Sequence, residues 1–124
     1  MTPGCHGSTY GSNPLAMVVG TVVLEELTHN NVLGMSQRMG TLLKAKLQGL
    51  VKEFPDKLVE ARGVGLMLGL ETKISAYKLN EELRDSGLLL APAGDNVLRI
   101  VPPLIITEAH IGEAIEIFRQ NLKD

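Results

Sequence analysis

The sequence predicts an α+β fold in which two N-terminal helices precede a mostly antiparallel sheet of about four strands, with helices packed on it. Two observations carry this prediction. Apolar residues recur at helical spacing over two long segments before residue 57. After residue 57, strand-like and helix-like runs follow the order β-β-α-β-β-α, which lacks the regular β-α-β units of a parallel sheet. We therefore predict a polar loop over 1–12, a helical segment over 13–57 and a small α/β sandwich over 58–124.

Each of the two N-terminal helices has its own sequence signal. The first is predicted from about Asn13 to Thr28, because Asn13 suits the N-cap and Pro14 suits the first helical position. Its residues are apolar on most sides, which predicts burial against protein that this sequence does not contain. The second helix, about 32–54, has one apolar stripe opposite a charged face, as is typical of a helix that covers a core.

The later elements are shorter. The second strand is apolar on both faces, so we expect it to lie centrally or to be covered on both sides. Ser75 and Thr107 are predicted N-caps of the last two helices. The predicted strands cover about 58–62, 66–72, 88–91 and 96–101, and the third helix covers about 75–86.

Composition excludes several classes of function. The 124 residues fit one domain, and a formal net charge of −2 gives no electrostatic footprint for nucleic acid. The single cysteine, Cys5, excludes an internal disulfide and fits a reducing cytoplasm; we interpret it as incidental rather than as a reactive thiol. The longest apolar segment, 15–27, is too short to span a bilayer, and no signal peptide is recognised. The three histidines show no metal-ligand spacing.

A polar loop leads directly into the first helix. Residues 5–14 contain two glycines, four hydroxyl side chains and the imidazole of His6. Free backbone N–H groups, hydroxyl donors and the positive end of a helix dipole favour a phosphate or a carboxylate. An ordinary exposed loop with a good cap explains the same residues.

One arginine interrupts an otherwise apolar segment. Arg99 lies within residues 96–106, where a guanidinium costs free energy unless it is paired. The planar guanidinium suits a carboxylate, which makes Arg99 a candidate anion-binding residue. A structural salt bridge, or a place on an exposed edge, would also account for it.

The order of residues 6–16 resembles the HGSTYGGNPLA signature of the class III (fold type I) aminotransferases, which use pyridoxal 5′-phosphate, and is most similar to their acetylornithine group. The resemblance implies that this loop holds the cofactor phosphate of a neighbouring subunit, through Thr9 with Ser8 beside it. Ser12 stands where the family has a second glycine. A positive φ at that position would therefore strain the serine.

Two further segments resemble the same family. Residues 62–69 match its R-G-x-G-L-M-x-G segment, which implies a strand of the small C-terminal domain. Residues 96–106 match N-V-x-R-x-x-P-P-L-I-I, in which the arginine binds the α-carboxylate of the amino-acid substrate. The resemblance therefore implies a substrate-binding role for Arg99.

The resemblance covers only the C-terminal part of the family. The lysine that forms the Schiff base, the aspartate on the pyridine nitrogen and the glycine-rich phosphate loop have no counterpart here. We therefore expect the chain to be catalytically inactive alone, with no catalytic residue, no metal and no covalently bound cofactor. The longer enzyme implied is a cytoplasmic homodimer of arginine biosynthesis that transfers an amino group from N-acetylornithine to 2-oxoglutarate.

Two alternatives remain open at this stage. The same motifs occur in other class III members that act on ornithine, succinylornithine, succinyldiaminopimelate or 4-aminobutyrate. The chain could instead be a stand-alone, non-enzymatic interaction module that pairs with itself through the apolar surface of the first helix. In neither case does the sequence indicate a nucleic-acid or membrane partner.

Overall fold

The computed structural model describes residues 7–94 and 96–123. By its contacts the chain divides into two compact units, Met1–Leu33 and Gly34–Asp124. Within the described residues there are four helices and four strands. In chain order they are α1 Pro14–His29, α2 Val32–Glu53, β1 Leu58–Val64, β2 Met67–Thr72, α3 Ala76–Asp85, β3 Ala91–Pro92, β4 Val97–Ile100 and α4 Glu108–Asn121.

The first unit contains α1, whose ends follow local capping signals. The Asn13 side-chain oxygen accepts the N–H of Ala16 at 2.9 Å, and Pro14 occupies the first helical position, as predicted. The helix ends at His29, Asn30 caps it, and Asn31 has a φ of 53°, the left-handed conformation that commonly follows a helix end. No residue of α1 is buried.

The second unit is built on a fully antiparallel sheet with the strand order β1-β2-β4-β3. β2 is an interior strand, as its apolar sequence predicts. Helices α2, α3 and α4 contribute apolar side chains to one core with the inner face of this sheet. That core includes Leu43, Leu47 and Leu50 of α2, Leu68, Leu70 and Leu98 of the sheet, Leu79 and Leu83 of α3, and Ile111, Ile115 and Phe118 of α4. The predicted α+β class is confirmed.

The outer face of the sheet is open within the described residues. Met67 of β2 is 68% exposed and its cross-strand partner Val64 of β1 is 87% exposed, whereas Leu68 and Leu70, which point to the other face of β2, are buried. β2 is thus apolar on both faces but covered on one. The side chains of β4 alternate in the same way, with Leu98 and Ile100 buried.

The third strand is shorter than the predicted span 88–91. The chain pairs with β4 only at Ala91 and Pro92. The N–H of Leu88 instead donates to the carbonyl of Leu83 at 2.8 Å and closes the end of α3. Leu89 precedes the paired residues, is not in a strand and is 79% exposed.

Glycines fix the β1–β2 turn and its approach to α2. Gly63 and Gly65 have φ values of 128° and 56°, which L side chains rarely adopt. A Cβ on Gly40 of α2 would lie 2.4 Å from the carbonyl carbon and oxygen of Gly65. The Lys44 ammonium, one turn further along α2, donates to the Gly63 carbonyl at 2.9 Å. α2 therefore packs directly against the backbone of the β1–β2 turn.

We predict that Gly40→Ala lowers the free energy of unfolding by about 1–3 kcal/mol, because the new methyl group meets rigid backbone. The matched control is Gly49→Ala on the same helix, where a Cβ meets nothing within 4 Å. Removing that glycine should raise stability by about 0.5–1 kcal/mol. Urea unfolding of the two variants measures both changes. Equal stability of the two variants would show that α2 can move away from the turn.

Candidate functional site

The polar loop before α1 has a defined hydrogen-bonding pattern. The Ser8 hydroxyl accepts the N–H of Gly11 at 2.9 Å, and the Asn13 amide donates to the Tyr10 carbonyl. Gly7, Ser8, Gly11 and Ser12 line a shallow, open depression of about 370 Å³. Ser8 and Thr9 are exposed. Cys5 and His6, which the sequence analysis considered, lie outside the described residues.

Ser12 adopts the conformation that the family glycine would adopt without cost. Its φ is 60°, in the left-handed region. The condition for strain at this position is therefore met, and a non-glycine residue there costs about 1–2 kcal/mol. Hydrogen bonds of the Ser8 and Asn13 side chains stabilise the loop on either side of Ser12.

The N-terminus of α1 offers fewer donors than the sequence suggests. Pro14 has no N–H, and the N–H of Ala16 is already bonded to Asn13. In the first turn this leaves the N–H of Leu15 without a partner among the described residues. The Thr9 hydroxyl also has none within the described part of the chain. An anion at this loop would thus be held mainly by loop donors rather than by the helix end.

Arg99 lies on the outer face of the sheet in β4. Its neighbours along the strand, Leu98 and Ile100, are buried, whereas Arg99 is exposed. Its Cα partners on the adjacent strands are Gly69 of β2 and Ala91 of β3. No carboxylate of the described residues lies within ion-pair distance of Arg99. The structural salt bridge considered for this residue is therefore not seen in the described part of the chain.

A second arginine on the same face is already occupied. Arg62 of β1 is the Cα partner of Gly69, so it lies in the same cross-strand row as Arg99. It forms hydrogen-bonded ion pairs with Glu71 and Glu60. The hydrogen bond with Glu71, and then that with Glu60, raises the pKa of Arg62. Of these two arginines, Arg99 is the one available to an external anion.

Sequence reasoning did not single out the cluster Glu60–Arg62–Glu71. The spacing of Glu60 and Arg62 places both on one face of a strand, which is a local signal. The contribution of Glu71 depends on the register between β1 and β2, which pairs Glu60 with Glu71 across the strands. That register could have been inferred only by fixing the hairpin turn at Gly63 and Gly65.

An apolar cleft of about 460 Å³ borders Arg99. It lies between the segment that precedes β3 and the segment that follows β4. His110 lies at its edge, but its imidazole is engaged in the N-cap of α4. The His110 Nδ1 accepts the backbone N–H of Thr107, and the backbone N–H of His110 donates to the Thr107 hydroxyl. The residues that line the cleft include Leu88, Leu90, Val101, Pro102 and Ile106.

Ser8 and Thr9 belong to the first compact unit, and Arg99 belongs to the second. Among the residues that the structure describes, no three His, Cys, Asp or Glu side chains are grouped so as to hold a metal ion. None of the described helices is both long and apolar enough to cross a membrane. The donors identified here are hydroxyl, backbone amide and guanidinium groups, all suited to anions.

Comparison with known sequences gives a consistent result. The family described as aminotransferase class-III matches residues 1–122. The acetylornithine aminotransferase of Mesorhizobium japonicum is 47% identical over 123 residues, which cover 99% of this chain and 31% of the relative. That of Synechocystis is 42% identical over 124 residues, covering 97% of this chain and 29% of the relative. The chain thus spans about a third of the length of the relatives it matches.

Solved structures agree with the sequence relatives. An acetylornithine aminotransferase from Elizabethkingia anophelis is 29% identical with a TM-score of 0.86, covering 99% of this chain and 33% of that one. A lysine aminotransferase from M. tuberculosis is 30% identical with a TM-score of 0.88, covering 98% and 28%. An ornithine δ-aminotransferase from Plasmodium falciparum is 29% identical with a TM-score of 0.84, covering 99% and 32%. The four helices and the antiparallel sheet match these folds, and the chain belongs to the class III aminotransferase family.

Proposed function

We propose that this chain is the C-terminal part of an acetylornithine aminotransferase, which transfers an amino group from N-acetylornithine to 2-oxoglutarate in arginine biosynthesis. The observation that carries the proposal is Arg99, whose guanidinium is exposed and has no ion-pair partner among the described residues. The family resemblance implies that this arginine binds a carboxylate. The curated relatives at 42–47% identity named above support the choice of amino donor. The family supports the reaction class, a transfer between an amino acid and an oxo acid.

The residues present fit the phosphate end of pyridoxal 5′-phosphate. Residues 7–13 supply hydroxyl and N–H donors and contain no carboxylate that would repel a phosphate. When bound, the cofactor supplies the electron sink that makes amino transfer possible. In this proposal Thr9 donates its hydroxyl hydrogen to a phosphate oxygen, and the proposed partner is the neighbouring subunit of a homodimer.

Ser8 and Thr9 have different roles in this proposal. The Ser8 oxygen accepts the Gly11 N–H, so its first role is to shape the turn that presents the loop. The Thr9 hydroxyl has no partner within the described residues and can donate outward. Thr9 is therefore the proposed principal ligand, and Ser8 is proposed to support it from the adjacent position.

Arg99 is proposed to bind the α-carboxylate of the substrate. A guanidinium can form two parallel hydrogen bonds with a carboxylate, which fixes the orientation of the substrate as well as holding it. The side chain is exposed on the open face of the sheet, so a substrate can reach it without displacing the core. Its two cross-strand neighbours, Gly69 and Ala91, are small and leave the approach clear.

The covalent step of the proposed reaction belongs to the rest of the longer enzyme. None of the lysines in this chain matches the motif of the family's cofactor lysine. Lys44, for example, is bonded to the Gly63 carbonyl. We therefore propose that the isolated chain does not catalyse transamination.

The apolar surface of α1 favours a second candidate, a stand-alone interaction module. Leu15, Met17, Val18 and Leu24 are each more than 60% exposed, and Val19, Val22 and Val23 are at least half exposed. Such a surface favours association. In the first proposal it is covered by the remainder of the aminotransferase, and in the second by another copy of this chain.

The two loop hydroxyls can be separated by amide hydrogen exchange. Ser8→Ala removes the acceptor of the Gly11 N–H, so exchange at Gly11 should become about fivefold faster. Thr9→Val is the matched control, because the Thr9 hydroxyl makes no bond within the described loop; exchange at Gly11 should be unchanged. If Thr9→Val accelerates exchange as much as Ser8→Ala does, the threonine shapes the loop and is not a free ligand.

A chimaeric enzyme tests the proposed function. This chain replaces the matching segment of the Mesorhizobium japonicum enzyme, which is 47% identical to it. The chimaera should transaminate N-acetylornithine with 2-oxoglutarate, whereas the isolated chain with added cofactor should not. Thr9→Val should raise the cofactor concentration needed for half-maximal activity about tenfold or more, because a hydrogen bond to a charged group is lost.

The same chimaera tests Arg99. Arg99→Gln should raise the KM for 2-oxoglutarate at least about tenfold, because a charged pair with the carboxylate is lost. Arg84→Gln is the control, since Arg84 is exposed and lies beside Asp85 on α3. Activity with ornithine or 4-aminobutyrate in place of N-acetylornithine would favour the other class III members. An unchanged KM in the Arg99 variant would contradict the proposed role of that residue.

A further inference from the structure

Gly69 occupies an unfavourable place for a glycine. It lies inside β2, an interior strand of the sheet, directly opposite Arg99 of β4. A glycine in a strand interior weakens the strand, because it loses more backbone freedom and packs no side chain. Such glycines often mark a point where a ligand or another backbone comes close. The question is which of these reasons applies to Gly69.

The fold itself gives little reason for this glycine. The φ of Gly69 is not positive, unlike those of Gly63 and Gly65 in the adjacent turn. A Cβ on Gly69 would meet one atom within 4 Å, the Cγ1 of Val97 at 3.2 Å, and a shift of that methyl group by a few tenths of an ångström would relieve the contact. By contrast, a Cβ on Gly40 meets backbone at 2.4 Å. Backbone atoms therefore exclude a side chain at Gly40, whereas a single side-chain methyl group opposes one at Gly69.

Because Gly69 has no side chain, space remains on the outer face next to the guanidinium of Arg99. Arg62, Gly69 and Arg99 form one row across three strands, on the outer face of the sheet. Arg62 is held by Glu60 and Glu71, so the space at Gly69 adjoins one occupied and one unpaired guanidinium. On its other side Arg99 is flanked by Ala91. Along this row Arg99, which has no ion-pair partner in the described part of the chain, therefore lies between the two smallest amino acids, glycine and alanine.

We propose that Gly69 is a specificity-determining residue, whose missing side chain leaves the space in which a substrate carboxylate lies against Arg99. This inference rests on the proposed function, in which Arg99 binds a carboxylate. Side chains larger than a methyl group at position 69 fill that space from the adjacent strand. The ligand class is a carboxylate-bearing amino acid or oxo acid whose carbon chain crosses the outer face of β2.

Binding of glutarate, an unreactive dicarboxylate, to the purified 124-residue chain tests the proposal. The readout is the NMR signal of the Arg99 Nε–H group, assigned by its loss in Arg99→Lys. Glutarate should shift this signal in the unmodified chain. Gly69→Ala should weaken binding by no more than about threefold, and Gly69→Val should weaken it at least about tenfold, since the pocket beside the ligand is filled.

Stability supplies the readout that separates lost space from lost structure. Valine is a better strand former than glycine, so Gly69→Val should keep or raise the urea unfolding midpoint while it weakens binding. Met67→Val is the matched control on the same strand and face, away from the partner position of Arg99; it should bind glutarate as the unmodified chain does. If Gly69→Val does not fold, Gly69→Thr, of nearly the same shape, provides the same test with the same expected loss.

The outcomes distinguish this inference from the function on which it rests. Glutarate binding at Arg99 that is as tight in the valine variant as in the unmodified chain would overturn the role of Gly69 and leave that of Arg99 intact. An Arg99 signal that does not respond to glutarate in the unmodified chain would contradict both. Weakened binding in Met67→Val to the same degree would show a general disturbance of the sheet face, which also overturns the inference.

Discussion

The arrangement of the second unit depends on one close contact, the approach of α2 to the β1–β2 turn at Gly40 and Gly65. Because a methyl group at position 40 would overlap the Gly65 backbone, α2 can pack this closely on the turn only with glycine at that position. The apolar stripe of α2 then joins the core on the inner face of the sheet. Side chains alternate along β4, so Arg99 points outward because Leu98 and Ile100 on either side of it point inward. The candidate carboxylate site therefore lies on the face of the sheet opposite the core to which α2 contributes.

The parts of the fold that sequence predicted best are those set by local chemistry. Asn13, Ser75 and Thr107 cap their helices as expected, since a cap depends on a side chain and an N–H only two or three residues away. β3 was predicted over 88–91 but forms over Ala91–Pro92, because its pairing is non-local and the Leu88 N–H bonds to the end of α3 instead. The family resemblance indicated Arg99, but the absence of an ion-pair partner for it among the described residues was not predictable. That property depends on the register, which brings Glu71 to Arg62 instead.

The two candidate sites share one kind of chemistry. Thr9 with the loop amides, and Arg99 on the sheet, both offer donors to anions, and neither contains a nucleophile or a base. In the proposed enzyme this chain therefore binds the cofactor phosphate and the substrate carboxylate. The residues that take part in bond breaking belong to the rest of the longer enzyme. Orientation of reactants is itself a large part of catalysis, since a held substrate reacts without the entropic cost of a chance encounter.

The ion cluster around Arg62 has a consequence for how such a binding face can change over time. Adjacent strands are about 4.8 Å apart, so Arg62 and Arg99 are separated at their Cα atoms by about 10 Å across the row. Glu60 and Glu71 keep the first of these cations occupied. Loss of both acidic residues would expose a second guanidinium at a fixed distance from the first. Related enzymes could therefore come to accept longer dicarboxylates by losing these two acidic side chains, without building a new binding site.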